Sequence, residues 1–301
     1  MLLRAIELLL ERGHEVTLVA TCRARAGAHV LPSEFASLAE TLSAEFIESQ
    51  RLDTPDALAA IRRSGAELAV SIDWVGLLPA SVCEAFPSGI LNLHAGDLPR
   101  YRGNSPIAWA ILAGEDRIGV TVHLMDAEEF DSGPIVCKSY YPIDSSTYMH
   151  HVFEFVEVEG PRLLAEAVDG IAAGRVRLVP QDSVGLEVLR CYPRTAADGQ
   201  IDWSASAEHI VRLVRASSEP YAGAFTYFEG HLTRVWRARW QPWREPSCAV
   251  PGQCVSRDLN SGEVGIASGN GVVVLEEVQL EGGQRVASAD VIRSTRARLG
   301  A

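Results

Sequence analysis

The chain of 301 residues has no run rich in lysine or arginine, no apolar stretch near the length of a membrane span, and no Cys-x-x-Cys pair. Each absence excludes something. Without a basic run, and with a net charge of −12, the usual electrostatic footprint of a nucleic-acid binder is missing. A membrane-spanning helix needs about 20 consecutive apolar residues, so no membrane segment is expected. The cysteines (Cys22, Cys83, Cys137, Cys191, Cys248, Cys254) stand singly. They read as free thiols of a cytoplasmic protein rather than disulfides or a metal site. The opening MLLRAIELLLERGHEV is not a secretory leader, because Arg4, Glu7, Glu11 and Arg12 interrupt apolar residues that recur at helical spacing. There is no internal repeat and no low-complexity segment. What remains is ordinary globular composition, 47% hydrophobic and 22% charged, enough for one large domain or two modest ones.

The first half alternates helix and strand signals. The spacing predicts helices over 2–12, over 33–43 opened by Ser33, and over 55–64 capped by Thr54 with Pro55 at the first position. Strands are expected at 15–20, weakly at 45–48, at 66–72, 89–93 and 120–125. Such alternation predicts an α/β fold, with a largely parallel sheet covered on both faces and ligands beyond the carboxyl ends of its strands. A long helix over 147–174 and a capped helix over 205–217 follow. From residue 223 onward, short alternating strands split by Gly and Asn predict a small antiparallel barrel. The boundary is placed near residue 190, giving a catalytic domain over 1–189 and a linker helix with barrel over 190–301.

The densest chemical signal is GILNLHAGDLPRYRGNSP, residues 89–106. Asn92 and His94 are two apart on a predicted strand and so share a face. A carboxamide and an imidazole side by side can donate to one oxygen, which is what an oxyanion needs. Asp131, in FDSG after the 120–125 strand, can orient His94 and take a proton from a nucleophile. His123 sits within a strand pattern and is read as structural. His150 and His151 are read as solvated, with no zinc geometry.

The run NLHAGDLPRYRG, then PIAWAILAGEDRIGVTVHLMD, then FDSGPIV resembles the formyltransferases that use 10-formyltetrahydrofolate. The matching residues are Asn92, His94, Leu98, Pro99, Tyr101, Arg102, Gly103, Gly114, Glu115, Gly119, Val120, Thr121, Asp131, Ser132 and Gly133. The resemblance implies a Rossmann-like formyltransferase domain followed by an OB-like barrel. It also implies transfer of formyl to a primary amine, with Asn92 and His94 on the formyl oxygen and Asp131 as base. Trp74, Leu77, Leu78, Asp126 and Phe130 would form the cofactor pocket. Tyr101, Arg102 and Asn104 would face the substrate, although Arg102 is favoured as a brace for its loop. No metal is implied. Family members open with a strand and a Gly turn that this chain lacks, so its sheet is expected to miss a central strand. Either the start is set late, at an internal Met, or the sheet is rearranged, and the first is favoured.

The acceptor is read from the C-terminal part. From Cys191 onward it holds twelve Arg, no Lys and twelve acidic residues, which disfavours tRNA. CYPRTAADGQIDW and RLVRASSEPYAGAF look closest to sugar-amine formyltransferases. The expectation is therefore a nucleotide-linked amino sugar or similar small amine, with nucleic acid an improbable partner and a homodimer allowed. Methionyl-tRNA, hydrolysis of the formylfolate, and a non-catalytic folate-binding relative are the alternatives.

Overall fold

A computed structural model describes residues 1–23 and 30–300. The chain divides into two compact units. The first comprises Met1–Gly103, Gly119–Tyr141 and Glu154–Cys191; the second comprises Asn104–Ile118, Pro142–Phe153 and Tyr192–Ala301. Two stretches of the first half of the chain thus group with the C-terminal barrel, which a single sequence boundary near 190 does not express.

The elements of the first half run α1 (Leu2–Glu11), β1 (Leu18–Thr21), α2 (Pro32–Leu42), β2 (Glu45–Glu48), α3 (Pro55–Ser64), β3 (Ala69–Ile72), α4 (Ala80–Cys83), β4 (Ile90–His94), β5 (Arg102–Gly103), α5 (Pro106–Ala113), β6 (Arg117–Leu124) and β7 (Ile135–Pro142). Then come α6 (Met149–Ala172) and β8 (Arg190–Cys191). Thr54 caps α3 as expected, its hydroxyl accepting from the Ala57 amide, and Gly65 ends the helix in the left-handed region. The start of α2 differs: Ser33 lies inside the helix, Leu31 is the cap residue, and the Glu34 carboxylate accepts from the Leu31 amide at 2.8 Å. Pro32, whose fixed φ suits the first helical position, moves the start back one residue.

In the first unit β1 pairs parallel with β2, and β3 parallel with β4. Beyond β4 lie β6, antiparallel to it, and then β7. Among the described residues no strand joins the β1–β2 pair to the β3–β4–β6–β7 sheet. Strand β4 is buried along its whole length, the pattern of a strand covered on both faces. One apolar cluster under β3 and β4 gathers Ile47, Ile61, Leu78, Val82, Phe86 and Ile90, with Trp74 and Met125 against it.

The second unit contains α7 (Ala207–Ser217), β9 (Ala224–Phe228), β10 (His231–Gln241), β11 (Cys254–Asp258), β12 (Glu263–Ala267), β13 (Val272–Leu280), β14 (Arg285–Ala287) and α8 (Ser288–Val291). The Ser206 hydroxyl caps α7, and its apolar face (Ile210, Leu213, Val214) enters a core with Trp203, Val235, Ile266, Val273 and Leu275. The strands form an antiparallel sheet in the order β11–β12–β13–β10–β9, with β14 on β13. Its two edges are bridged by the C-terminal tail. Cys254 donates to the Ala297 carbonyl, Leu299 to Gly252, and Gly300 to the Tyr227 carbonyl at 2.7 Å. The tail bridges the end of β9 to the start of β11, tying the sheet into the expected barrel.

Among the described residues no helix is long and apolar enough to cross a membrane. All six cysteines are free. Leu91, at the centre of β4, has no exposed surface. Leu91→Ala removes buried methyl groups and leaves a cavity, and it should lower unfolding free energy by about 2–5 kcal/mol. Chemical denaturation checks this; a loss well under 1 kcal/mol would show that the strand is not packed on both faces.

Candidate active site

The register of the sheet assembles the site. Asn92 on β4 lies opposite Ser71 on β3 and His123 on β6. Residues in register on neighbouring strands project to the same face, so Ser71, Asn92 and His123 form one row across the carboxyl end of β4. His94, two residues on, opposes Thr121 in the next row. Past His94 the chain turns through Gly96, where a Cβ would come within 2.5 Å of His94 Nε2. Glycine therefore leaves room for the imidazole. The Tyr101 carbonyl then accepts from His94 Nε2 at 2.7 Å. A carbonyl only accepts, so Nε2 carries the proton and Nδ1 faces the Asp131 Oδ2 at 3.5 Å.

Asp131 is met from several sides. The Gly103 amide donates to Oδ2 at 2.8 Å. His123 Nε2 stands 3.3 Å from Oδ1, and Asn92 Nδ2 stands 3.5 Å from the same oxygen. Asn92 Nδ2 is also 3.2 Å from His123 Nε2, while His123 Nδ1 is 2.7 Å from the Leu124 carbonyl. Thus the three residues singled out by the motif converge, and His123, read from sequence as structural, joins them. Its only sequence signal was strand parity with Thr121; which strand it would face needed the β4–β6 register.

Burial opposes ionisation of Asp131, but its contacts with His123 and His94 and the Gly103 amide outweigh it, so the carboxyl is held at about 2. Burial also pushes the His94 imidazole below its ordinary value, against the pull of Asp131. The resting pair is therefore a carboxylate beside a neutral imidazole, with room for one proton between them.

The other residues expected at the site fall in different surroundings. Trp74 packs half-buried against the Leu78 cluster, and Leu77 is half-buried beside it in sequence. Asp126 is exposed, its carboxylate accepting from the Glu128 amide at 2.7 Å. Phe130 is 46% exposed. The Tyr101 ring is buried; its carbonyl reaches the site. The Arg102 guanidinium is also buried, donating to the Gln181 Oε1 through Nε at 3.0 Å and Nη2 at 2.8 Å, and to Glu129 at 3.3 Å. It braces the loop. Asn104 is exposed and belongs to the second unit. His150 and His151 are half-buried, with rings 3.9 Å apart, rather than solvated. Among the described residues no cluster of ligands fits a metal ion.

These surroundings suit a reduced folate. A flat heterocycle needs apolar walls and a few polar partners. Trp74 and Met125 pack against the apolar cluster that holds Leu78. The Ser71 hydroxyl, buried in the same row as Asn92, has no hydrogen-bond partner among the described residues, and a bound polar group would relieve that cost.

The Asp131 charge makes acid sensitivity calculable. Its folded value lies below the ordinary carboxyl value near 4. Its stabilisation is therefore complete above pH 4 and is lost as pH falls toward 2. The difference in unfolding free energy between the unsubstituted protein and Asp131→Asn should shrink by about 1 kcal/mol between pH 5 and pH 3. Urea titrations at the two pH values measure it, and a constant difference would place Asp131 in an environment that does not favour its charge.

Comparison with known proteins bears on the whole chain. Residues 3–168 match the model of the formyl transferase family, and residues 194–296 match that of the formyl transferase C-terminal domain. The chain is 31% identical over 292 residues to a methionyl-tRNA formyltransferase of Geotalea uraniireducens, covering 95% of this chain and 90% of the relative. It is 33% identical over 300 residues to a methionyl-tRNA formyltransferase of Heliobacterium modesticaldum, covering 97% and 93%. Two solved structures share the fold. One is an N-formyltransferase from Helicobacter canadensis in complex with folinic acid and dTDP-3-aminofucose, with a TM-score of 0.65, 14% identity, and coverage of 94% of each chain. The other is HypX from Aquifex aeolicus in complex with tetrahydrofolic acid, with a TM-score of 0.57, 19% identity, and coverage of 94% of this chain and 48% of that one.

The sequence relatives overturn the amino-sugar acceptor, and with it the expectation that nucleic acid is an improbable partner. The charge argument failed because a total hides distribution. In the second unit Glu208, Glu263 and Glu219 are spent on Arg212, Arg239 and Arg285. Arg293, Arg296 and Arg298 stay exposed with no carboxylate in ion-pair range among the described residues. Matched by family models over both its parts, this chain belongs to the formyltransferase family, whose enzymes take their formyl group from 10-formyltetrahydrofolate.

Proposed function

We propose that the chain formylates the α-amine of methionyl-tRNA. What carries this reading is the similarity to methionyl-tRNA formyltransferases at 31–33% identity across both the catalytic and C-terminal parts. When bound, 10-formyltetrahydrofolate supplies an activated formyl group, and the side chains do the rest. Asn92 has an amide N–H only loosely engaged, at 3.5 Å from Asp131, so it can turn to the formyl oxygen as negative charge gathers there. Asp131 is ionised and accepts the proton that the amine loses, directly or through water. His94 Nδ1, facing the carboxylate, takes a share of that proton; the imidazolium so formed also stabilises the developing oxyanion by its charge. Trp74, Leu77, Leu78, Asp126 and Phe130 line the folate side, with Ser71 as a further polar contact. Tyr101 and Arg102 act through the loop, the first by its carbonyl on His94.

The test is transfer of labelled formyl from 10-formyltetrahydrofolate to methionyl-tRNA by the purified chain, with uncharged tRNA and free methionine as controls. The rate should rise with pH as the amine loses its proton. Asn92→Ala, His94→Ala and Asp131→Ala should each lower turnover by about 100-fold or more. Near-normal turnover in any one removes that residue from the chemistry. No transfer by the unsubstituted chain removes the acceptor.

A further inference from the structure

Asp131 is not a glycine, yet its φ is +54°. A non-glycine residue in the left-handed region is strained and persists only where its surroundings dictate it. The surroundings here converge on one side chain. Gln181 is 4% exposed, and its Nε2 donates to the Asp131 carbonyl and to the Gly133 carbonyl, each at 2.7 Å. Its Oε1 accepts both Nε and Nη2 of Arg102. Because a guanidinium can only donate, the orientation of the amide is unambiguous. Both protons and both lone pairs of the carboxamide are used.

Gln181 is itself located by the backbone. Val179 exchanges two 2.9 Å hydrogen bonds with Ile135, and Pro180 then starts a short 3-10 turn at Gln181. The residue is thereby delivered to the 131–133 loop from the strand that follows that loop. Arg102 completes the circuit: it precedes Gly103, whose amide holds the Asp131 Oδ2, and β5 is paired with β8 through Arg102 and Arg190. One closed ring of hydrogen bonds thus ties the backbone of Asp131 to the backbone that binds its side chain.

We propose that Gln181 is a positioning residue for formyl transfer, its Arg102-oriented carboxamide clamping the Asp131–Gly133 turn so that the Asp131 carboxylate stays against Gly103, Asn92, His94 and His123. The proposal rests on the reading of Asp131 as the base. Removing the clamp frees the turn to leave the left-handed conformation and withdraws the carboxylate from its donors without touching either substrate.

Two measurements test this, one of which needs no acceptor. In protein carrying 13C-labelled aspartate, the Asp131 carboxyl should titrate below the ordinary carboxyl range. In Gln181→Met, close in size and without a donor, it should titrate at a proton concentration at least tenfold lower. Turnover should fall roughly 10–100-fold, as for other losses of catalytic geometry, with KM for 10-formyltetrahydrofolate within about threefold. In an Asp131→Asn background the same substitution should cost almost nothing further, since the group it positions is gone. Gln181→Glu keeps the acceptor for Arg102 and loses the donors; it should behave like the Met variant, and it carries the test if Gln181→Met does not fold. An unshifted Asp131 titration overturns the proposal, as does a turnover loss that recurs in full in the Asp131→Asn background. A chain that fails to formylate methionyl-tRNA would remove the acceptor reading while the Asp131 titration still decides the clamp.

Discussion

A carboxylate sealed at the end of a sheet must be met by donors, because an ion taken from water without partners costs several kcal/mol. Asp131 is that ion, and the arrangement around it follows from meeting it. The Gly103 amide must reach Oδ2, so the chain runs close against β8, and a Cβ at Gly103 would lie 2.5 Å from the Cys191 carbonyl. Asn92 Nδ2 must reach Oδ1 with the His123 ring beside it, which requires β6 to pair with β4 in the register that sets the two residues opposite each other. The left-handed turn at Asp131 must be held, and Gln181 holds it. Partners from β4, β5 and β6 meet at one carboxylate, and the turn after Pro180 holds the backbone that carries it.

That dependence explains what the sequence could and could not disclose. Asn92 and His94 are legible because their relation is local: two residues apart on an apolar strand means one face. The helix α3 is legible for the same reason, with Thr54 and Pro55 as its start and Gly65 as its stop. His123 is 31 residues from Asn92 and Gln181 is 50 from Asp131. Their roles depend on which strands pair and where a turn is delivered. No window of the chain contains that information, so a buried histidine inside an alternating strand reads the same whether it faces a core or a carboxylate. The closure of the barrel by residues 297–300 was hidden likewise, since a short tail shows no strand periodicity.

The acceptor was misread for a different physical reason. Contact with a polyanion depends on the charge near the contact, because screening confines each charge to about a Debye length, roughly 8 Å at physiological salt. Net charge sums over distances that the phosphate never senses. An equal count of arginines and carboxylates in the C-terminal part is compatible with neutral pairs in one place and uncompensated arginines in another, and among the described residues Arg293, Arg296 and Arg298 are of the second kind.

The protonation pattern gives the site its direction. Asp131 is ionised and His94 neutral for opposite reasons: the carboxylate because its donors outweigh burial, the imidazole because burial outweighs its partner. A carboxylate so strongly favoured is a weak base by itself. The neutral imidazole with its bare Nδ1 turned to that carboxylate corrects the weakness, for a proton arriving between them creates an ion pair rather than a buried neutral acid. The pair can thus accept a proton from an amine without surrendering the charge that the surrounding donors are built to hold. This makes the Tyr101 carbonyl more than a loop contact: by fixing the His94 proton on Nε2, it keeps Nδ1 available to receive one.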